Sequence, residues 1–140
     1  MSSELERAFA AHRAGRLDEA IDGYQRALKA VPRWEVWHNL AVLLAQRGRD
    51  AEARQAFASA HDMAPQRPEP LVDLGRLHQQ RGRATAAAGV FDTLVRQQPG
   101  AEAWNLLRSA RADAGLRDAA VAAFDEAIRL DPRHGVALSN

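Results

Sequence analysis

Residues 34–65 read WEVWHNLAVLLAQRGRDAEARQAFASAHDMAP. Apolar residues recur on both sides of Gly48 at helical spacing, so the stretch reads as two helices joined by a short turn. Glycine suits the connection because it tolerates positive φ where a helix ends. Asp50 and Glu52 begin the second helix, where the positive end of its dipole favours acids. Pro65 cannot continue a helix interior and closes the unit. Ala53 and Phe57 are four apart, hence on one helical face. A small residue there lets two helix backbones approach, and the aromatic fills the space beside it.

The same punctuation recurs along the chain. Pro32, Pro65, Pro99 and Pro132 are 33, 34 and 33 residues apart. A glycine stands 17 residues before each: Gly15, Gly48, Gly82 and Gly115. Twelve before stands Ala20, Ala53, Ala87 or Ala120, and eight before stands Tyr24, Phe57, Phe91 or Phe124. Four helix pairs are therefore expected, over about 1–33, 34–67, 68–100 and 101–134, with 135–140 as the start of a fifth pair or a cap. One pair cannot bury its apolar face alone, so stacking is expected to place Leu40, Leu44, Phe57, Leu74, Leu77, Phe91, Leu107 and Phe124 in the core. Arrays of this kind usually end in a polar closing helix, and the chain shows none, so it is expected to be the N-terminal part of a longer protein.

Composition agrees with helices. Of 140 residues 46% are hydrophobic and 26% charged, a globular balance. Alanine, leucine and arginine dominate, while threonine occurs only at Thr85 and Thr93, which argues against strands. Arginine outnumbers lysine, whose single representative is Lys29; with the alanine bias this fits a GC-rich, bacterial genome. Net charge is +1, too small for a bulk field toward nucleic acid or membrane. The absence of cysteine excludes a disulfide scaffold, a thiolate zinc site and a cysteine nucleophile. No apolar run approaches the roughly 18 residues of a membrane span. Met1-Ser2-Ser3-Glu4 does not begin as a secretory signal does, and the expected location is the cytoplasm.

The pattern resembles the tetratricopeptide repeat. Unit two carries it in Trp37, Leu40, Ala41, Gly48, Ala53, Phe57, Ala60 and Pro65; unit four in Trp104, Leu107, Gly115, Ala120, Phe124, Ala127 and Pro132. Unit three has Leu71 at the tryptophan position, followed by Leu74, Gly75, Gly82, Ala87 and Phe91. Unit one carries Glu4 and Arg7 where large apolar residues are usual, as a cap would. Unit four departs at Arg108, where the family has a small residue. The resemblance implies an all-α solenoid of stacked antiparallel helix pairs, wound as a right-handed superhelix whose first helices line a concave groove.

Carrying the family's groove positions onto this chain gives a candidate peptide-binding face. Unit one supplies Ser2, Leu5, Glu6, Phe9, His12 and Arg13; unit two Glu35, His38, Asn39, Val42, Ala45 and Gln46. Unit three supplies Glu69, Val72, Asp73, Arg76, Gln79 and Gln80; unit four Glu102, Asn105, Leu106, Ser109, Ala112 and Asp113. Six acids against two arginines make this set net acidic, although the whole chain is nearly neutral. Two readings stay open. An acidic groove would select a basic or polar segment; alternatively Glu35, Glu69 and Glu102 simply suit the first helical turns they occupy.

The resemblance implies a protein–protein interaction scaffold, or a substrate-recruiting or regulatory N-terminal arm of a larger bacterial enzyme of sulfotransferase-like, glycosyltransferase or oxygenase type. RNA binding, known in a related repeat class, would need a basic inner face, so no nucleic-acid partner is expected. Family members that hold a chaperone's C-terminal carboxylate need converging cations and amides. Asn39 matches one such position, but Leu5, Phe9, Glu69 and Asp73 are apolar or of the wrong sign, which disfavours chaperone tails. No glycine-rich phosphate loop, Ser/His/Asp set or HExxH motif is present, so neither catalysis nor a cofactor is expected. Of five histidines, only His38 and His78 with Asp73 suggest a metal site, and partly exposed helix histidines are the ordinary reading. Trp34 reads as packing on the inter-repeat turn or as a rim anchor, while Pro68 and Pro70 delay the start of unit three. The last repeat leaves an end that permits weak end-to-end pairing with a second copy.

Overall fold

The computed structural model describes residues 3–133. All regular structure among them is helical. Eight α-helices follow in pairs: α1 (Glu4–Arg13) with α2 (Leu17–Ala30), α3 (Trp34–Gln46) with α4 (Asp50–Met63), α5 (Glu69–Gln80) with α6 (Ala84–Gln97), and α7 (Ala101–Asp113) with α8 (Arg117–Leu130). Two compact units, hereafter unit one (the first two repeats) and unit two (the last two), divide the chain at Pro70–Leu71, in the first turn of α5. Ser2, His134 and the expected fifth pair lie outside the described residues.

Each hairpin turns through its glycine in the left-handed region, with φ of 78° at Gly15, 76° at Gly48, 74° at Gly82 and 80° at Gly115. At the first turn Gly15 N–H donates to His12 O at 3.1 Å and Arg16 N–H to Ala11 O at 2.9 Å, which satisfies carbonyls the helix end leaves free. The other three turns repeat this pair of bonds, for example Gly48 to Ala45 and Arg49 to Leu44. At each pair's other end proline sets the geometry. A following proline ring disfavours helical backbone in the residue before it. Val31, Ala64, Gln98 and Asp131 accordingly leave the helix with φ of −136°, −140°, −138° and −148°. The first helix of the third pair starts late, at Glu69, with Pro68 just ahead and Pro70 in its first turn, where the missing N–H groups would lack partners anyway.

The small-plus-aromatic seam is where the repeat predicts it. Ala20, Tyr24, Ala53, Phe57, Ala87 and Phe91 are all essentially inaccessible. Leu40, Leu44, Leu77 and Leu107 are buried with them. In unit two, Phe91, Leu94, Val95 and Leu107 form one cluster with Leu71 and small alanines, covered by Val72, Val90, Trp104 and Leu106. Two expected core residues differ: Leu74 and Phe124 are only half-buried. Phe124 lies on the last described helix, and the Arg108 guanidinium, 5.5 Å above its ring, covers it in part. The large residue at the family's small position thus shields an aromatic on α8.

Candidate functional site

In unit one the predicted face involves α1 and α3, and a residue of α2 joins them. The Tyr24 ring is buried, edge-on to Phe9 with centroids 5.7 Å apart. Its hydroxyl hydrogen-bonds with His12 Nδ1 at 2.9 Å and with the Asn39 side chain. Burial raises the Tyr24 pKa above the ordinary phenol range; the Asn39 bond and the Arg13 charge act the other way. Four expected face residues, Phe9, His12, Arg13 and Asn39, therefore gather about one phenol. The pattern at position 24 indicates only a core aromatic; the signal for more is that the first repeat alone has tyrosine there.

His38 lies between Trp34 and Phe57, with centroid distances of 6.1 and 5.8 Å. Arg67, in the connection between α4 and α5, stands 5.2 Å over the Trp34 ring and donates to Glu69 Oε1 at 3.0 Å. Trp34 thus packs on the inter-repeat turn. Glu6, Glu35 and Gln46 are exposed and Val42 is half-buried. The Glu6 backbone N–H donates to Ser3 Oγ at 3.1 Å, which caps α1.

In unit two the face is tied across α5 and α7, where Gln79 Nε2 donates to Ser109 Oγ at 3.3 Å. Arg76, Gln80 and Glu102 are exposed and Asp73 is half-buried. Asn105 departs from expectation. It is only 9% exposed, and its Oδ1 and Nδ2 meet no protein hydrogen-bond partner among the described residues. Ser109, one turn further along α7, accepts the Gln79 bond from α5, whereas Asn105 is buried. His78 is buried, and its Nδ1 accepts from Arg83 Nε at 3.1 Å, which puts the ring proton on Nε2. Among the described residues no three His, Cys, Asp or Glu side chains gather as metal ligands. No described helix is long and apolar enough to cross a membrane.

Tetratricopeptide repeat models match residues 5–68, 44–110 and 101–134. The chain belongs to the tetratricopeptide repeat family. Among curated proteins it is similar to the photosystem I assembly protein Ycf3 of Prochlorococcus marinus strain MIT 9211, 31% identical over 88 residues. That match takes in 60% of this chain and 51% of the relative. The Synechococcus sp. strain CC9311 protein of the same name is 28% identical over the same length, with the same coverage. The chain therefore spans about half the length of the curated relatives it matches. Among solved structures it resembles MamA, with a TM-score of 0.75 at 19% identity over 94% of this chain and 78% of that one. It also resembles YrrB, described as a TPR protein with an unusual peptide-binding site, with a TM-score of 0.72 at 22% identity over 97% and 71% of the two chains. These likenesses establish the all-α helix-pair solenoid fold of this tetratricopeptide repeat chain.

Proposed function

We propose that this chain is a protein-interaction scaffold whose first helices receive an extended peptide or a partner helix, and that it performs no chemistry of its own. The carrying observation is the cross-bracing of those helices. Tyr24 fixes α1 against α3, and the Gln79–Ser109 bond fixes α5 against α7. A face held in one arrangement before binding loses less conformational entropy when a ligand arrives. Exposed Glu6, Glu35 and Glu102, with Asp73, favour a basic or polar segment over an acidic one. The fold family, and the assembly role that the Ycf3 relatives are named for, support a protein partner.

The test is a fluorescence-anisotropy titration with labelled decapeptides, one series arginine- and lysine-containing and one aspartate- and glutamate-containing. Basic peptides should bind, and binding should weaken as salt is raised from about 50 to 300 mM. The double variant Glu35→Gln, Asp73→Asn should weaken it further. A preference for the acidic series would overturn the reading.

A further inference from the structure

The two units differ at one place that the first-helix face does not use. In unit one the flank of α3 between α2 and α4 holds a cleft of about 350 Å3, floored by Trp37, Leu40 and Leu44. Gln25 and Lys29 line its α2 wall, and Glu52 and Gln55 its α4 wall. The repeat maps each position onto unit two by the shift from Pro32 to Pro99. Trp37 becomes Trp104, Gln25 becomes Asp92, Lys29 becomes Arg96 and Glu52 becomes Ala119. Leu44 becomes Arg111.

Arg111 shows what this place accommodates. Its Nη1 donates to the Ala119 carbonyl of α8 at 3.0 Å, and its Nη2 lies 3.7 Å from Asp92 Oδ1 of α6. One guanidinium therefore touches both walls. In unit one Leu44 has no such reach, and the space stays open. The acceptors are conserved in kind between the two places, with the carboxylate moved from one wall to the other: Gln25 replaces Asp92, and Glu52 replaces Ala119. The backbone carbonyl of Glu52 takes the place of that of Ala119. In unit two Asp92 holds Arg96 at 2.8 Å and still lies beside Arg111. In unit one Glu52 holds Arg49 at 2.9 and 2.7 Å, and is placed to share itself in the same way.

We infer that the unit-one cleft binds an arginine side chain supplied by a partner polypeptide, with its guanidinium set where that of Arg111 lies in unit two. Trp37 lines the cleft, where an aromatic ring attracts a planar cation, and the apolar floor takes its methylene stem. Lysine, a point charge without the fork, cannot reach both walls at once. The cleft is separate from the first-helix face, so the two proposals stand or fall independently.

The experiment follows the indole N–H NMR resonances of Trp37 and Trp104 in the whole chain as N-acetyl-arginine amide, N-acetyl-lysine amide or N-acetyl-citrulline amide is added. The arginine probe should shift Trp37 saturably in the millimolar range and leave Trp104 still. Lysine and citrulline probes should bind about tenfold more weakly, the loss expected when a charge-assisted hydrogen bond goes unmade. Arg111→Leu opens the second cleft and should make Trp104 respond as Trp37 does. Leu44→Arg, which fills the first cleft from within, should abolish the Trp37 response. Should Leu44→Arg fail to fold, Arg111→Leu decides the matter from its half-exposed site. No saturable Trp37 shift, equal shifts with lysine, or a silent Trp104 in Arg111→Leu would overturn the inference.

Discussion

Gly75 of α5 lies so close beneath the Phe91 ring of α6 that a methyl group on it would overlap the ring carbons. The equivalent positions of the first two repeats hold Ala8 and Ala41, both buried. In the third repeat the ring occupies the space that an alanine methyl takes elsewhere. Phe91 is fully buried and cannot swing away freely. Gly75→Ala should therefore destabilise the protein by about 1–3 kcal/mol, the usual cost of overpacking. Gly89 is the control. It lies in the interior of α6, exposed, with nothing within 4 Å of where a Cβ would stand. Gly89→Ala should stabilise by roughly 0.5–1 kcal/mol through helix propensity alone. Urea unfolding midpoints of the two variants should move in opposite directions.

The aromatic seam predicts a gradient. Phe57 and Phe91 are buried, and truncating either to alanine should cost about 3–5 kcal/mol. That is a large share of a typical total near ~5–15 kcal/mol. Phe124 is half-buried under Arg108, so Phe124→Ala should cost distinctly less. Arg117→Ala, on the exposed start of α8, should change little. Equal losses of thermal stability at the three phenylalanines would contradict this packing.

Tyr24 is the only tyrosine, so its ionisation can be read directly by ultraviolet difference absorbance. Burial raises its folded pKa above the ordinary value near 10, more than Asn39 and Arg13 lower it. The neutral phenol is thus the form the folded state favours. Its contribution to stability is full below about pH 10 and is lost as pH rises through the folded pKa. Phenolate absorbance should appear at lower pH in urea than in buffer. Tyr24→Phe should remove this part of the alkaline stability loss, and should free His12 and Asn39 of their shared partner.

Much of this fold was legible because its determinants are local. A glycine forced to positive φ, a residue pushed out of the helix by the next proline, and a small–aromatic pair one turn apart each leave a mark in the sequence at fixed spacing. The candidate face was less legible because its arrangement depends on which neighbour a side chain meets. Position 105 carries asparagine among the expected groove positions, and only the folded structure shows it buried. The clefts beside α3 and α7 were invisible for a related reason. Leu44 and Arg111 are equivalent in the repeat, yet one leaves a space and the other fills it.

Asn105 supplies the last prediction. A buried side-chain amide whose oxygen and nitrogen find no protein partner among the described residues costs the fold about 1–3 kcal/mol relative to a satisfied one. Replacing it by an apolar side chain of similar size removes both orphaned groups and leaves no cavity. Asn105→Leu should therefore leave stability unchanged or raise it, whereas most buried substitutions lower it by about 0.5–3 kcal/mol. Asn105→Ala removes the same polar atoms but leaves a void at a buried site, and should fall below Asn105→Leu. Calorimetric melting of the two variants measures the difference. A marked loss in Asn105→Leu would mean that the amide is paired inside the folded protein, with enclosed water as its partner.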